Sequence, residues 1–193
     1  MKLKRHALTS VLAALMAILA VPSSAEEFGL LQDARVVAGS IPPRLLTVLQ
    51  QEIEKGGVDG AIGVCRDKAP QMAKEASEKT GWQIRRVSLK NRNPKAVPDA
   101  WETAVLQDFD RRAGAGEDPR QLERGEMVSD NGAYSYRYMK ALPTQQLCLS
   151  CHGGPGDIAP AVKARLAELY PADKATGYSL NQIRGAMTIR RAF

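Results

Sequence analysis

The sequence predicts a single domain of the α+β class. Three observations carry this: several segments repeat apolar residues at helical spacing, others alternate or bracket a turn as antiparallel strands do, and the two kinds are mixed along the chain. At 193 residues the chain is long enough to bury a real core.

The first residues, Met1-Lys2-Leu3-Lys4-Arg5, precede an apolar run from Ala7 to Val21, then Pro22-Ser23-Ser24-Ala25 and Glu26-Glu27. This is the pattern of a secretory signal cut after Ala25, so residues 1–25 are read as signal peptide and 26–193 as the mature domain. The run falls short of the roughly 18 apolar residues that span a bilayer, and no cysteine near the cut offers a lipid anchor. A periplasmic or secreted protein, not embedded in a membrane, is expected.

The elements follow in order. Pro42-Pro43 interrupts the first segment and opens a helix carrying Leu45, Leu46, Val48, Leu49 and Ile53, which Gly56-Gly57 stops. Val58, Ile62, Cys65 and Ala69 then fall at helical spacing, which predicts an inward face for Cys65. Pro70 opens a further helical segment that ends near Gly81. Trp82, Ile84, Val87 and Leu89 stand among polar residues as on a half-buried strand, ended by Asn91-Arg92-Asn93-Pro94. Ala100, Trp101, Ala104, Val105 and Phe109 predict a helix from about Pro98 to Arg112, with Trp101 in the core. Residues 113–124 read as a loop. Glu126-Met127-Val128, the turn Ser129-Asp130-Asn131-Gly132 and the segment Tyr134 to Leu142 read as a hairpin, because Asn-Gly tolerates positive φ. A helix from Ala159 to Leu169 and a closing strand from Ile183 to Arg191 complete the domain.

Charge and residue inventory narrow the function. The formal charge is +6, and removing residues 1–25 takes away Lys2, Lys4 and Arg5 and no acid, which leaves +3. Without a dense basic run, nucleic-acid binding is not expected. The chain has three cysteines and two histidines, and His6 leaves with the signal, so the mature domain keeps only His152.

Cys148-Leu149-Ser150-Cys151-His152 has the C-x-x-C-H spacing of c-type haem attachment. The two thiols add across the haem vinyl groups, and the next residue offers its imidazole to iron from the same short segment. Export is also where such attachment occurs. Gly153-Gly154-Pro155-Gly156 follows, and small residues there either let the backbone pass close to a flat cofactor or simply end a loop. Rival readings use the same residues: a thiol-redox C-x-x-C pair, a Cys148–Cys151 disulfide, or a zinc site of Cys65, Cys148, Cys151 and His152. Thiol-redox pairs are expected at a helix start in a β-α-β setting, and adjacent Cys151 and His152 make tetrahedral closure awkward.

For haem, a second histidine ligand is excluded by counting. The sixth position then falls to Cys65, Met72, Met127, Met139, Met187, a weaker donor, or nothing; each methionine, and an unpaired cysteine too, is by default a packing residue.

Ala61-Ile62-Gly63-Val64-Cys65 with Ala69-Pro70, the stretch Arg86 to Pro94 with Pro98 and Trp101-Glu102, and Cys148 to Gly153 resemble a family of exported monohaem c-type proteins, known mainly from a cyanobacterial member. The likeness runs over nearly the whole mature chain, and Ile183-Arg184-Gly185-Ala186 is similar to the family's last strand. The resemblance implies a PAS-like antiparallel sheet flanked by helices, one covalent haem c on Cys148 and Cys151, and iron held between His152 and Cys65. Arg92 is the basic residue read as a partner for a haem propionate.

A thiolate ligand favours ferric iron and so a low potential, which suits a low-potential electron carrier or a redox or gas sensor. No output domain follows in the chain, so a sensor would need a separate signalling partner, as a carrier needs a redox partner. With no second histidine to act as distal acid or base, an enzyme is not expected.

Overall fold

The computed structural model describes residues 24–130 and 132–193. The expected signal peptide therefore lies outside the described residues, apart from Ser24 and Ala25, and so does Asn131 of the hairpin turn.

The chain begins with a long helix, α1 (Ser24–Gly60), which continues through Pro42 and Pro43. The sequence placed a helix start there, because proline suits a first turn and removes an N–H donor from a helix interior. Packing outweighs that preference: Ala34, Val37, Ala38 and Ile41, on the segment before the prolines, are buried in one cluster with Trp82, Tyr136 and Tyr138. The real break is at Gly57, whose φ of 76° and ψ of 176° kink the helix.

A π-helical turn, Val64–Lys68, leads into α2 (Ala69–Thr80), which Gly81 ends with φ of 73°. Strand β1 (Gln83–Val87) follows, then α3 (Ala100–Gly114), the hairpin β2 (Glu123–Asp130) and β3 (Ala133–Pro143), α4 (Gln146–His152), α5 (Pro160–Leu169) and β4 (Ile183–Ala192). The sheet is antiparallel throughout in the order β1-β4-β3-β2, so the last strand slots into the middle. The α+β expectation holds.

Helices cover both faces of the sheet. Ile84, Tyr136, Tyr138, Met187 and Ile189 point at α1, with Met72, Ala73 and Ala76 of α2 packed beside them. Val87, Met139, Ala141 and Ala186, one residue out of phase, point at Val105, Leu106 and Phe109 of α3. Helix α3 starts with a capping box: Asp99 Oδ1 accepts from the Glu102 N–H at 2.9 Å, and Glu102 Oε2 accepts from the Asp99 N–H at 2.9 Å. Glu102, 2% exposed, also accepts from the Thr188 hydroxyl and pairs with Arg85, which ties α3 to β4 and β1. Trp101 is half-buried, with its Nε1–H donating to Glu126 at 2.7 Å and Arg137 stacked 4.3 Å from its ring centroid. Among the described residues no helix is long and apolar enough to cross a membrane.

Gly185 marks where β4 enters the sheet. Its φ is 151°, and a Cβ there would lie 2.3 Å from the Val87 carbonyl oxygen, so only glycine fits. The register slips between Leu142 and Pro143 opposite this point, and the chain turns into α4.

Candidate functional site

Cys148, Cys151 and His152 all lie on α4. Residues three and four apart on a helix are neighbours, so C-x-x-C-H sets Cys148 within one turn of both Cys151 and His152 on a short element. So short a helix holds little stability of its own and must be fixed from outside.

Residues 173–182 run alongside and bond to both of its ends. At the start of α4, the Thr144 N–H donates to the Gln182 carbonyl at 2.8 Å and the Asn181 N–H to the Thr144 carbonyl at 2.9 Å. At its end, the Tyr178 N–H donates to the His152 carbonyl at 2.9 Å and the Gly177 N–H to the Gly153 carbonyl at 2.8 Å. Gly153 itself is required by local packing, since a Cβ would meet the Leu149 carbonyl oxygen at 2.7 Å and Asp157 at 2.6 Å. Its smallness therefore needs no cofactor to explain it. Cys151 packs against Ile62, Val162 and Leu166, and its thiol is pushed up to about 11 by burial.

The His152 ring is fixed by Ala175, whose carbonyl oxygen lies 2.7 Å from Nδ1. A carbonyl only accepts, so Nδ1 carries the proton and Nε2 keeps the lone pair. Arg184 Nε stands 3.1 Å from the same Nδ1. With the Nδ1 proton already donated, that contact sets a cation beside the ring and adds no second hydrogen bond. Burial first, then Arg184 and Arg92, hold the imidazole well below its ordinary pKa, so it is neutral, as a metal ligand must be. The Tyr178 ring meets it edge-on at 6.5 Å.

Cys65 does not lie where the helical stripe predicted. Ile62 and Val64 are buried, while the Cys65 side chain is exposed to water, because the Gly57 kink and the wider π-turn rotate it off the stripe. Enough protein surrounds it to push the thiol pKa up, against the opposing pull of Arg86, Arg92 and Arg184, and it lies within electrostatic reach of Cys148. Such π-turns occur often at functional sites.

Arg92 is committed elsewhere than a free cation would be. Its Nε donates to Asp173 Oδ2 at 3.0 Å and its Nη2 to the Cys151 carbonyl at 2.6 Å, with side chains 8% and 13% exposed for Arg92 and Asp173. It clamps the end of α4 to the segment that carries Ala175.

Two residues with no role assigned from the sequence, although they stand in the resembling stretches, complete the surroundings. Arg184 is 6% exposed, donates from Nη1 to the Ser88 hydroxyl at 3.0 Å, and is lowered to about 9 by burial and then by Arg86. Arg86, at the end of β1, is held down by burial and lies within reach of Cys65 and Cys148. Their burial is not marked in the sequence, because arginine on a strand reads as solvated.

All three cysteines are free, so no Cys148–Cys151 disulfide is formed. Among the described residues no three His, Cys, Asp or Glu side chains gather to hold a metal ion, so the Cys65–Cys148–Cys151–His152 zinc set is not assembled. Cys151 turns into the α5 cluster and His152 toward Ala175. Met72, Met127, Met139 and Met187 all pack in or against hydrophobic clusters. A cavity of about 500 Å³ lined by Leu106, Asp110 and Tyr178 lies beyond Tyr178 and includes none of the cysteines or His152.

Fold and site together define a single α+β domain that carries two thiols and an oriented neutral imidazole on one strapped helix, with a third thiol within electrostatic reach. The Tll0287-like family model matches residues 6–191, and the chain belongs to that family. In the crystal structure of the cyanobacterial heme-protein Tll0287 the same fold recurs, with a TM-score of 0.59 and 24% identity over 87% of this chain and 95% of that one. No curated protein matches.

Proposed function

We propose that this chain is an exported monohaem protein of low potential, with haem c attached to Cys148 and Cys151 and iron held by His152 and Cys65. The observation that carries the reading is the His152 ring: its Nδ1–H is given to Ala175, which leaves Nε2 on the thiol-bearing helix as a free donor. An outer hydrogen bond of this kind orients a metal-bound imidazole and fixes its tautomer. Cys65 is the only cysteine outside the attachment motif, and it lies within electrostatic reach of Cys148. The family's cyanobacterial heme-protein supports the cofactor assignment, and the PAS-like kinship of the sheet belongs to the same reading.

Haem, when bound, supplies one-electron chemistry. The chain's own residues then have defined tasks: Cys148 and Cys151 retain the group, His152 is held by Ala175, Arg92 and Asp173 brace the helix end, and Cys65 biases iron toward the ferric state. A rigidly strapped histidine suits an electron carrier, because little must move when the charge changes.

The test is an optical spectrum of the purified protein, oxidised and reduced, with and without carbon monoxide. A carrier stays six-coordinate in both states and ignores carbon monoxide. Tight binding of the gas by the reduced protein would make it a sensor.

A further inference from the structure

Tyr178 links the His152 ring to the surface. The two rings meet edge-on with centroids 6.5 Å apart, and the Tyr178 N–H donates to the His152 carbonyl at 2.9 Å. Tyr178 is 7% exposed, and it lines the cavity of about 500 Å³ together with Leu89, Lys90 and Leu180. One side of it therefore touches the imidazole and the other reaches the cavity wall.

The mouth of that cavity is both apolar and basic. Leu89 is 39% exposed and Leu180 51%, so two large apolar side chains face water on one concave site. A single exposed leucine is ordinary; two on one cavity form the apolar centre that a protein contact uses. Lys90 stands 4.4 Å from the Tyr178 ring centroid and donates to the Thr176 carbonyl at 2.6 Å. Lys174 is exposed beside it, on a residue whose N–H donates to the Asn91 carbonyl at 3.2 Å. Lys95 is on the short turn Pro94–Ala96, where the Ala96 carbonyl accepts from the Ser88 N–H at 3.1 Å. None of the three lysines has an ion pair among the described residues, and Asp173, the neighbour of Lys174, is taken by Arg92. Asp110, on the α3 wall, is the one acid among the residues that line the cavity. The mouth keeps a net positive charge.

An apolar centre rimmed by unpaired cations is complementary to an acidic protein surface, which the cations steer into place. A small anion alone would satisfy the lysines and leave both leucines in water. We infer that Leu89 and Leu180, with Lys90, Lys95 and Lys174 around them, form the docking surface for an acidic redox protein, and that Tyr178 is the contact between that surface and His152. This inference rests on the haem reading above. One electron passes per encounter: the partner loses it, the iron gains it, and no bond is made or broken.

The experiment uses the full-length holoprotein, its covalent haem first confirmed by intact mass, with flavodoxin as an acidic one-electron probe. Flavodoxin hydroquinone reduces the ferric protein and becomes the semiquinone, and the second-order rate is followed against salt, with the midpoint potential of each variant recorded so that driving force is matched. Lys90→Glu and Lys174→Glu each slow the reaction about three- to tenfold at low ionic strength, and the rates converge with the wild type at high salt. Lys79→Glu makes the same change in net charge before the other end of β1, and slows it less than about twofold. Leu180→Ser slows it at every salt concentration. Binding is read separately from leucine methyl NMR signals as oxidised flavodoxin is added. Leu89 and Leu180 shift, and Leu30 and Leu31, which pack on the opposite face of the sheet, do not. Equal slowing by Lys79→Glu and Lys90→Glu overturns the docking surface, since net charge is then the whole effect. A wild-type rate that salt does not lower, or rates unmoved by Lys90→Glu, Lys174→Glu and Leu180→Ser, overturn it as well. So do methyl shifts elsewhere with Leu89 and Leu180 unmoved. A wild-type protein without covalent haem overturns the haem reading itself, which the mass measurement reveals before any rate is read.

Discussion

His152 donates its Nδ1–H to the Ala175 carbonyl oxygen at 2.7 Å, across 23 residues of chain. That one bond decides which imidazole nitrogen keeps its lone pair, and it depends on a segment that has no regular secondary structure. Asp173 caps the segment by accepting from the Ala175 N–H at 2.8 Å, and Arg92 holds Asp173.

The brace is the first point to test. Arg92 and Asp173 are both largely buried, so removing either leaves an uncompensated charge. Asp173→Asn and Arg92→Met each cost about 3 kcal/mol in urea unfolding. The double variant loses clearly less than the sum, because the two act as a unit. Strict additivity would mean that the pair is not coupled.

Cys65 is the second. Cys65→Ala turns the ferric protein high-spin, or lets another donor replace the thiolate, and raises the potential. Cys65→Met keeps six-coordination at a raised potential, because a thioether favours ferrous iron relative to a thiolate. An unchanged spectrum and potential in Cys65→Ala would return Cys65 to the status of an ordinary thiol.

The two glycine contacts make a third prediction. Gly185→Ala places a methyl 2.3 Å from the Val87 carbonyl at a φ of 151°. It lowers stability by about 3 kcal/mol or prevents folding. Gly153→Ala pushes against the Leu149 carbonyl within α4 and reduces the fraction of protein that carries covalent haem, measured by intact mass. Gly132 has open space around it, but its φ of 82° makes Gly132→Ala destabilising by about 1 kcal/mol through backbone strain alone.

Acid sensitivity follows from Glu126. Arg124 first, and then the Trp101 Nε1–H against the effect of burial, hold its carboxyl below its ordinary value of 4.5. A depressed folded-state pKa contributes stability that is complete above the unfolded-state pKa and is lost as pH falls through the folded one. The melting temperature therefore declines as pH drops below about 4.5, and Glu126→Gln flattens that part of the curve. A steeper decline in Glu126→Gln would contradict the assignment.

Most of the sheet and the position of the C-x-x-C-H segment were legible in the sequence because their signals are local. Alternation marked β1 and β4, a two-residue turn marked the hairpin, and C-x-x-C-H fixes its own geometry once it is helical. The Asp99-x-x-Glu102 capping box was also there to be read, since a carboxylate three residues on marks a helix start. What stayed hidden depends on contacts distant in sequence. The continuation of α1 through Pro42-Pro43 rests on burial of Ala34 to Ile41 against strands more than forty residues away, counted from Ile41 to Ile84. The exposure of Cys65 rests on a π-turn, which a 3.6-residue period cannot show. Arg92 was legible as a basic residue of the resembling stretch, but its partner, Asp173, lies 81 positions on, and only the folded chain brings the two together.

Covalent attachment is the central claim, and intact-mass analysis after acid extraction tests it most directly. The account predicts that the wild-type polypeptide, expressed as the full 193-residue chain in a host that matures c-type cytochromes, keeps the mass of one haem after denaturation. Cys148→Ala combined with Cys151→Ala loses it. A wild-type protein that carries no haem mass, or whose haem extracts completely into acidified solvent, contradicts the account.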